Sequence, residues 1–144
     1  MSVNVTAIRQ ALATQVGAAT GVTTLPYMPD QVTVPVIAVL PWLPWKYGLV
    51  LDGGLPALAV MDPAFHVVII ISRAQDIAAV QATLDGYLAS GGVSATSVPD
   101  AVLADPTLGG TVSSCEVSMV DQYGPIPVAG QDYFGARVCV QVIP

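Results

Sequence analysis

Few side chains in this 144-residue sequence could carry out chemistry. His66 is the single histidine, and Cys115 and Cys139 are the only cysteines. A zinc site takes four Cys, His or carboxylate ligands, usually at short spacing. These three residues show no such pattern along the chain. Nucleophilic catalysis needs an oriented base beside a Ser or Cys. Only His66 could be that base, it lies in an apolar run, and no G-x-S-x-G elbow is present. The ten carboxylates are spread out, and most stand near glycine or proline, as Asp52, Asp62, Asp105 and Asp121 do. Aspartate in that setting is a turn device rather than half of an acid–base pair. Gly53-Gly54 and Gly109-Gly110 lack the Lys and Ser/Thr of a phosphate loop. The expectation is a protein that is not an enzyme, with no catalytic residue, no cofactor and no metal.

What remains is surface. Trp42, Trp45 and Tyr47 fall within six positions on a loop stiffened by Pro41 and Pro44. Aromatic residues are enriched in interface cores, and a stiff loop loses little entropy on docking. The competing reading is that these rings pack beneath their own loop. Tyr123, Tyr133 and Phe134 flank a C-terminal turn and pose the same choice. These six are the candidate interface residues.

Composition points the same way. Hydrophobic residues make up 53% of the chain and mean hydropathy is +0.68, while only 10% of residues are charged. Ordinary soluble domains carry about 25% charge. Disorder is excluded, since it needs low hydrophobicity and high charge. A surface so poor in charge is an expectation of self-association. Ten carboxylates oppose Arg9, Lys46, Arg73 and Arg137, for a net charge of −6. Four scattered cations do not build the basic patch of a nucleic-acid binder. No apolar span reaches the roughly 18–20 residues of a membrane helix, and no cation precedes a hydrophobic N-terminal run as in a secretory signal. The reading is one domain over residues 1–144, made in a reducing cytoplasm, with no membrane association.

The elements that position these residues follow from periodicity. Val5, Ile8, Leu12, Val16 and Ala19 share one helical face, with Asn4 as cap and Gly21 at the exit. Residues 32–40 read as a strand buried on two sides, which Pro35 pushes toward an edge or bulge. Residues 47–51 and 55–61 read as short strands around an Asp52-Gly53-Gly54 turn. Residues 65–71 are nearly continuous Val and Ile, the pattern of a central strand. Ser72 and Gln75 read as the capping box of a helix carrying Ile77, Val80, Leu84 and Leu88. Residues 99–105 form a turn or two of helix. Residues 114–119 and 136–142 alternate as half-exposed strands of one hairpin, joined by a loop over 122–132. This predicts an α/β chain of the α+β kind: a mixed, mainly antiparallel sheet, two main helices packed on it and a C-terminal β-hairpin. Cys115 shares a face with Val117 and Met119, and Cys139 shares one with Arg137 and Gln141. The first should point to the core and the second outward, leaving two free thiols.

This order of elements resembles the tail terminator proteins of long-tailed, siphovirus-type actinobacteriophages over nearly the whole chain. The stretches that carry the resemblance are Val98-Pro-Asp-Ala-Val-Leu-Ala-Asp-Pro-Thr-Leu-Gly-Gly-Thr-Val112 and Tyr133-Phe-Gly-Ala-Arg-Val-Cys-Val-Gln-Val142. The resemblance implies a structural virion protein of the tail that forms a homo-oligomeric ring, expected to be hexameric. Such a ring caps the tail tube protein and joins it to the head–tail connector protein, and DNA passes through its centre without specific binding. Other connector or tail-completion proteins share this size and layout, and a small partner- or ligand-binding α/β domain is the remaining alternative.

Overall fold

The computed structural model describes residues 3–73, 77–90 and 96–144. The first helix, α1 (Val5–Thr20), starts where Asn4 Oδ1 accepts from the Ala7 amide at 3.0 Å. It stops at Gly21, whose φ of 71° turns the chain so that its amide reaches the Gly17 carbonyl. Ile8, Leu12, Ala13 and Val16 form the buried stripe expected of an amphipathic helix lying on a sheet.

A two-residue strand β1 (Thr24–Leu25) leads through a loop to β2 (Val36–Pro41). The strand expected over 32–40 therefore begins later. Pro35 has no amide to donate to a ladder, and it falls just before the strand rather than inside it. A hairpin of β3 (Tyr47–Asp52) and β4 (Leu55–Val60) follows. Gly53 and Gly54 supply its turn with φ of 62° and 84°, as a two-residue hairpin turn requires.

The chain then enters β5 (Ala64–Arg73), the apolar run expected to be central. Next come α2 (Ile77–Leu88), α3 (Val98–Ala104), β6 (Ser114–Val128) and β7 (Gln131–Ile143). The main sheet has the order β1-β2-β5-β7-β6, and only the β1–β2 pairing is parallel. The expected fold class is what the chain adopts: an α+β structure with a mainly antiparallel mixed sheet and a C-terminal hairpin.

Two local expectations differ from the structure. Ser72 lies inside β5 opposite Phe134, and its hydroxyl donates to the Arg73 carbonyl at 2.8 Å, so it is a strand residue with a local bond. Gln75, the other residue of the expected capping box, lies outside the described residues. The loop expected over 122–132 is instead mostly strand. β6 runs to Val128, and a two-residue turn at Ala129 and Gly130, with φ of 51° and 80°, joins it to β7. Pro125 and Pro127 are tolerated because β6 is an edge strand: two positions apart, both turn their missing amides away from β7.

The three helices of the described residues pack on one face of the sheet. Ile37, Val39, Phe65, Val67, Ile69, Ala136, Val138 and Val140 alternate onto that face and build the main core with α1, Leu84, and Val98 and Val102 of α3. Gln15 of α1 donates to the Ala101 and Asp105 carbonyls at 2.6 and 2.9 Å, satisfying free carbonyls at the end of α3. The other face holds a smaller core of Val36, Val68, Ile70, Ile126, Val128 and Tyr133. Met28 and Val32, from the loop between β1 and β2, cover it. No described helix is long and apolar enough to cross a membrane.

Candidate functional site

The Pro-Trp loop that leaves β2 is pinned to the start of β5. The Ala64 carbonyl accepts from the Trp42 amide at 2.9 Å and from Trp45 Nε1 at 3.0 Å. The Trp45 ring meets Phe65 edge-on, with centroids 5.5 Å apart, and packs against the main core. An indole with its N–H satisfied and its ring on the core is a foundation for the loop. Trp42 stacks on His66 at 5.4 Å with the planes 24° apart.

That foundation holds the β3–β4 hairpin as an arm. Its root is closed by two bonds of 2.7 Å, from the Met61 amide to the Lys46 carbonyl and from the Lys46 amide to Asp62 Oδ1. Met61 also lies across Gly48, where an added Cβ would come within 2.6 Å of its Cγ. Beyond the root the arm leaves its own chain. Tyr47, Leu49, Leu51, Leu55 and Leu58 are 67–72% exposed. Tyr47, Leu49 and Leu51 share one face of the ribbon with their partners Leu58 and Pro56. Asp52, at the turn, is the only charged residue between Lys46 and Asp62. A two-stranded hairpin is marginal by itself in water. Fully burying each large apolar side chain stabilises by about 1.5–3 kcal/mol, and this arm forgoes that within its own subunit.

The six candidate interface residues divide accordingly. Tyr47 opens the exposed face of the arm. Trp42 and Trp45 are half-buried at its root. Tyr123 is 40% exposed, touches Phe134 edge-on and donates its hydroxyl to Asp85 of α2 at 2.6 Å. Tyr133 and Phe134 are buried within the subunit, one in the small core and the other in the main core, which corrects their reading as surface. The exposed leucines of the arm were not among the sequence candidates. Their signal is legible: two short apolar strands around a Gly-Gly turn, with Asp52 as the one charge.

Beneath Trp42 the register brings together residues far apart in sequence. His66 and Cys139 face each other across β5 and β7 on the sheet face away from the helices. Asp121 joins them from a bulge in β6, the second of two irregularities around Ser118 and Asp121. Bulges re-aim side chains in this way. Arg137 grips Asp121 with two parallel bonds, Nε to Oδ1 at 2.7 Å and Nη2 to Oδ2 at 2.8 Å. His66 Nε2 stands 3.7 Å from Asp121 Oδ2, too far for a hydrogen bond. Burial holds the His66 pKa below its ordinary value, helped by the Arg137 charge and opposed by Asp121. The Arg137 hydrogen bond lowers that of Asp121. Burial raises the Cys139 thiol to about 11, and the Cys115 thiol likewise. Both cysteines are free, on opposite faces of the sheet as expected. Cys139, expected to point outward, is on the outer face but fully covered.

Compared with protein-family models and with curated proteins, the chain matches none.

Proposed function

We propose that this chain is a ring-forming structural subunit of a phage tail: a tail terminator that caps the tail tube and meets the head–tail connector. The observation that carries the reading is the apolar arm. Its face of Tyr47, Leu49 and Leu58 is 67–72% exposed and carries no charge to hold it in water. An arm standing off one side contacts a different patch on its neighbour. Head-to-tail contacts of that kind close into rings where the rotation between neighbours divides a full turn. The net charge of −6 suits a channel that DNA must traverse without being held, since a basic wall would bind phosphates through counterion release. The resemblance along residues 98–112 and 133–142 supplies the choice of ring.

The test is sedimentation velocity with negative-stain imaging of the full chain, alone and as the L49K/L58E double variant, which places opposite charges on this cross-strand pair. The wild-type chain is expected to sediment as a closed ring, several times its 14.8 kDa mass. The double variant is expected to stay folded and monomeric, because both side chains are exposed and surface changes cost within about 0.5 kcal/mol. A wild-type chain that is monomeric at tens of micromolar and does not assemble on tail tubes would remove the ring reading.

A further inference from the structure

The outer face of the sheet carries a cluster that the assembly reading leaves unused. A ring nitrogen of His66, Cys139 Sγ and one Asp121 carboxylate oxygen all lie within 4.8 Å of one another, and His66 Nε2 is 3.7 Å from Asp121 Oδ2. His66 Nε2 is buried and has no hydrogen-bond partner among the described residues, which is costly for a ring nitrogen. We propose that these three side chains bind a thiophilic divalent ion, zinc in the first instance, with one position left for water.

The geometry and the donor set agree on this. A point central to three atoms no more than 4.8 Å apart lies within about 2.8 Å of each, and zinc takes nitrogen, oxygen and sulfur at about 2.0–2.3 Å. Each ligand therefore moves in by about 0.5–0.8 Å at most. One imidazole, one thiolate and one carboxylate are ordinary zinc ligands, and three protein ligands plus water is a common coordination.

The surroundings are arranged as support. Trp42 stacks on the His66 ring and fixes its plane. Arg137 occupies one side of Asp121 with its two bonds, but a carboxylate has about four lone-pair sites and keeps others for an ion. The Cys139 thiol gives its proton to solvent on binding; thiolate and carboxylate then offset the divalent ion, and the Arg137 guanidinium leaves the cluster with one net positive charge. A bound ion would link β5, β6 and β7, including the bulge where β6 loses regular pairing.

Cobalt(II) reports this directly, because a thiolate ligand gives a charge-transfer band in the near ultraviolet. The full chain, stripped with a chelator, is titrated with cobalt and then with zinc. One equivalent should produce the band, and zinc should displace it. C115S, which changes the cysteine on the other face, should keep the band, and C139S should lose it. H66Q and D121N should each weaken binding at least tenfold, and zinc should raise the melting temperature of wild type but not of H66Q. If C139S does not fold, H66Q with its unaltered thiol decides the matter. A wild-type chain without the band, a band that follows Cys115, or undiminished affinity in H66Q would each overturn the site. The readout does not depend on assembly, so it stands or falls apart from the ring.

Discussion

His66 illustrates how a single ring is set by its neighbours. It is paired with Cys139 across the strands, covered by Trp42 and held 3.7 Å from an aspartate already committed to Arg137. In the metal-free chain burial favours the neutral imidazole, so its folded pKa lies below its unfolded value of about 6.5. Between those two values the unfolded chain binds more protons than the folded one. Stability therefore rises with pH there and falls as pH drops below about 6.5. Asp121 acts in the same direction at lower pH. Arg137 depresses its pKa, so the stabilisation it gives is present above the unfolded carboxylate value and is lost as pH falls through the folded one. Melting curves in chelator from pH 8 to pH 5 should show wild type losing stability toward the acid end, with H66Q visibly flatter over the same range. Parallel curves for the two proteins would mean that His66 titrates alike in both states.

At the scale of elements, the close approach of β5 and β7 depends on one missing side chain. A Cβ on Gly135 would collide with the Ile69 carbonyl, beside the point where the β5 register slips between Ile70 and Ser72. G135A should cost about 3 kcal/mol or more, because the obstacle is backbone and cannot turn aside; urea denaturation of the monomeric arm variant would measure it without interference from assembly. No periodicity announces such a glycine. What the sequence does announce is local. Asn4, Gly21 and the Ile8–Leu12–Val16 stripe define α1, and the Val/Ile run of 65–71 marks the central strand, because capping and burial act within a few residues. Pro125 and Pro127 hid most of β6, since proline argues against a strand until the strand is known to be an edge. The His66 cluster was illegible for a related reason. Cys139 and Asp121 meet His66 only through strand register and a bulge, and neither is written in the spacing of the ligands. The exposed arm is legible as two short apolar strands around a Gly-Gly turn, next to the more conspicuous tryptophans Trp42 and Trp45. They are the rings that hold the arm in place, and the surface itself is made of leucine.

The whole molecule poses a balance between a well-filled core and a surface that is hard to dissolve. Its helices cover one sheet face, a loop and the hairpin tip cover part of the other, and the β3–β4 arm stays bare. If neighbouring copies cover that arm, folding and association are linked, because a partner that binds only the folded subunit stabilises it by mass action. The melting temperature of the wild-type chain should then rise with protein concentration. The L49K/L58E variant should melt at one temperature at all concentrations, close to that of wild type at high dilution. The comparison separates two roles the arm could play. An arm needed inside its own subunit would make the variant less stable than dilute wild type. An arm used between subunits leaves the dilute proteins alike and removes only the concentration dependence. Trp45→Ala provides the contrast: its ring packs on the core and its N–H holds the Ala64 carbonyl, so its loss should lower the melting temperature at every concentration. A wild-type melting temperature unchanged over a hundredfold range of concentration would mean that the subunit stands alone with its leucines in water.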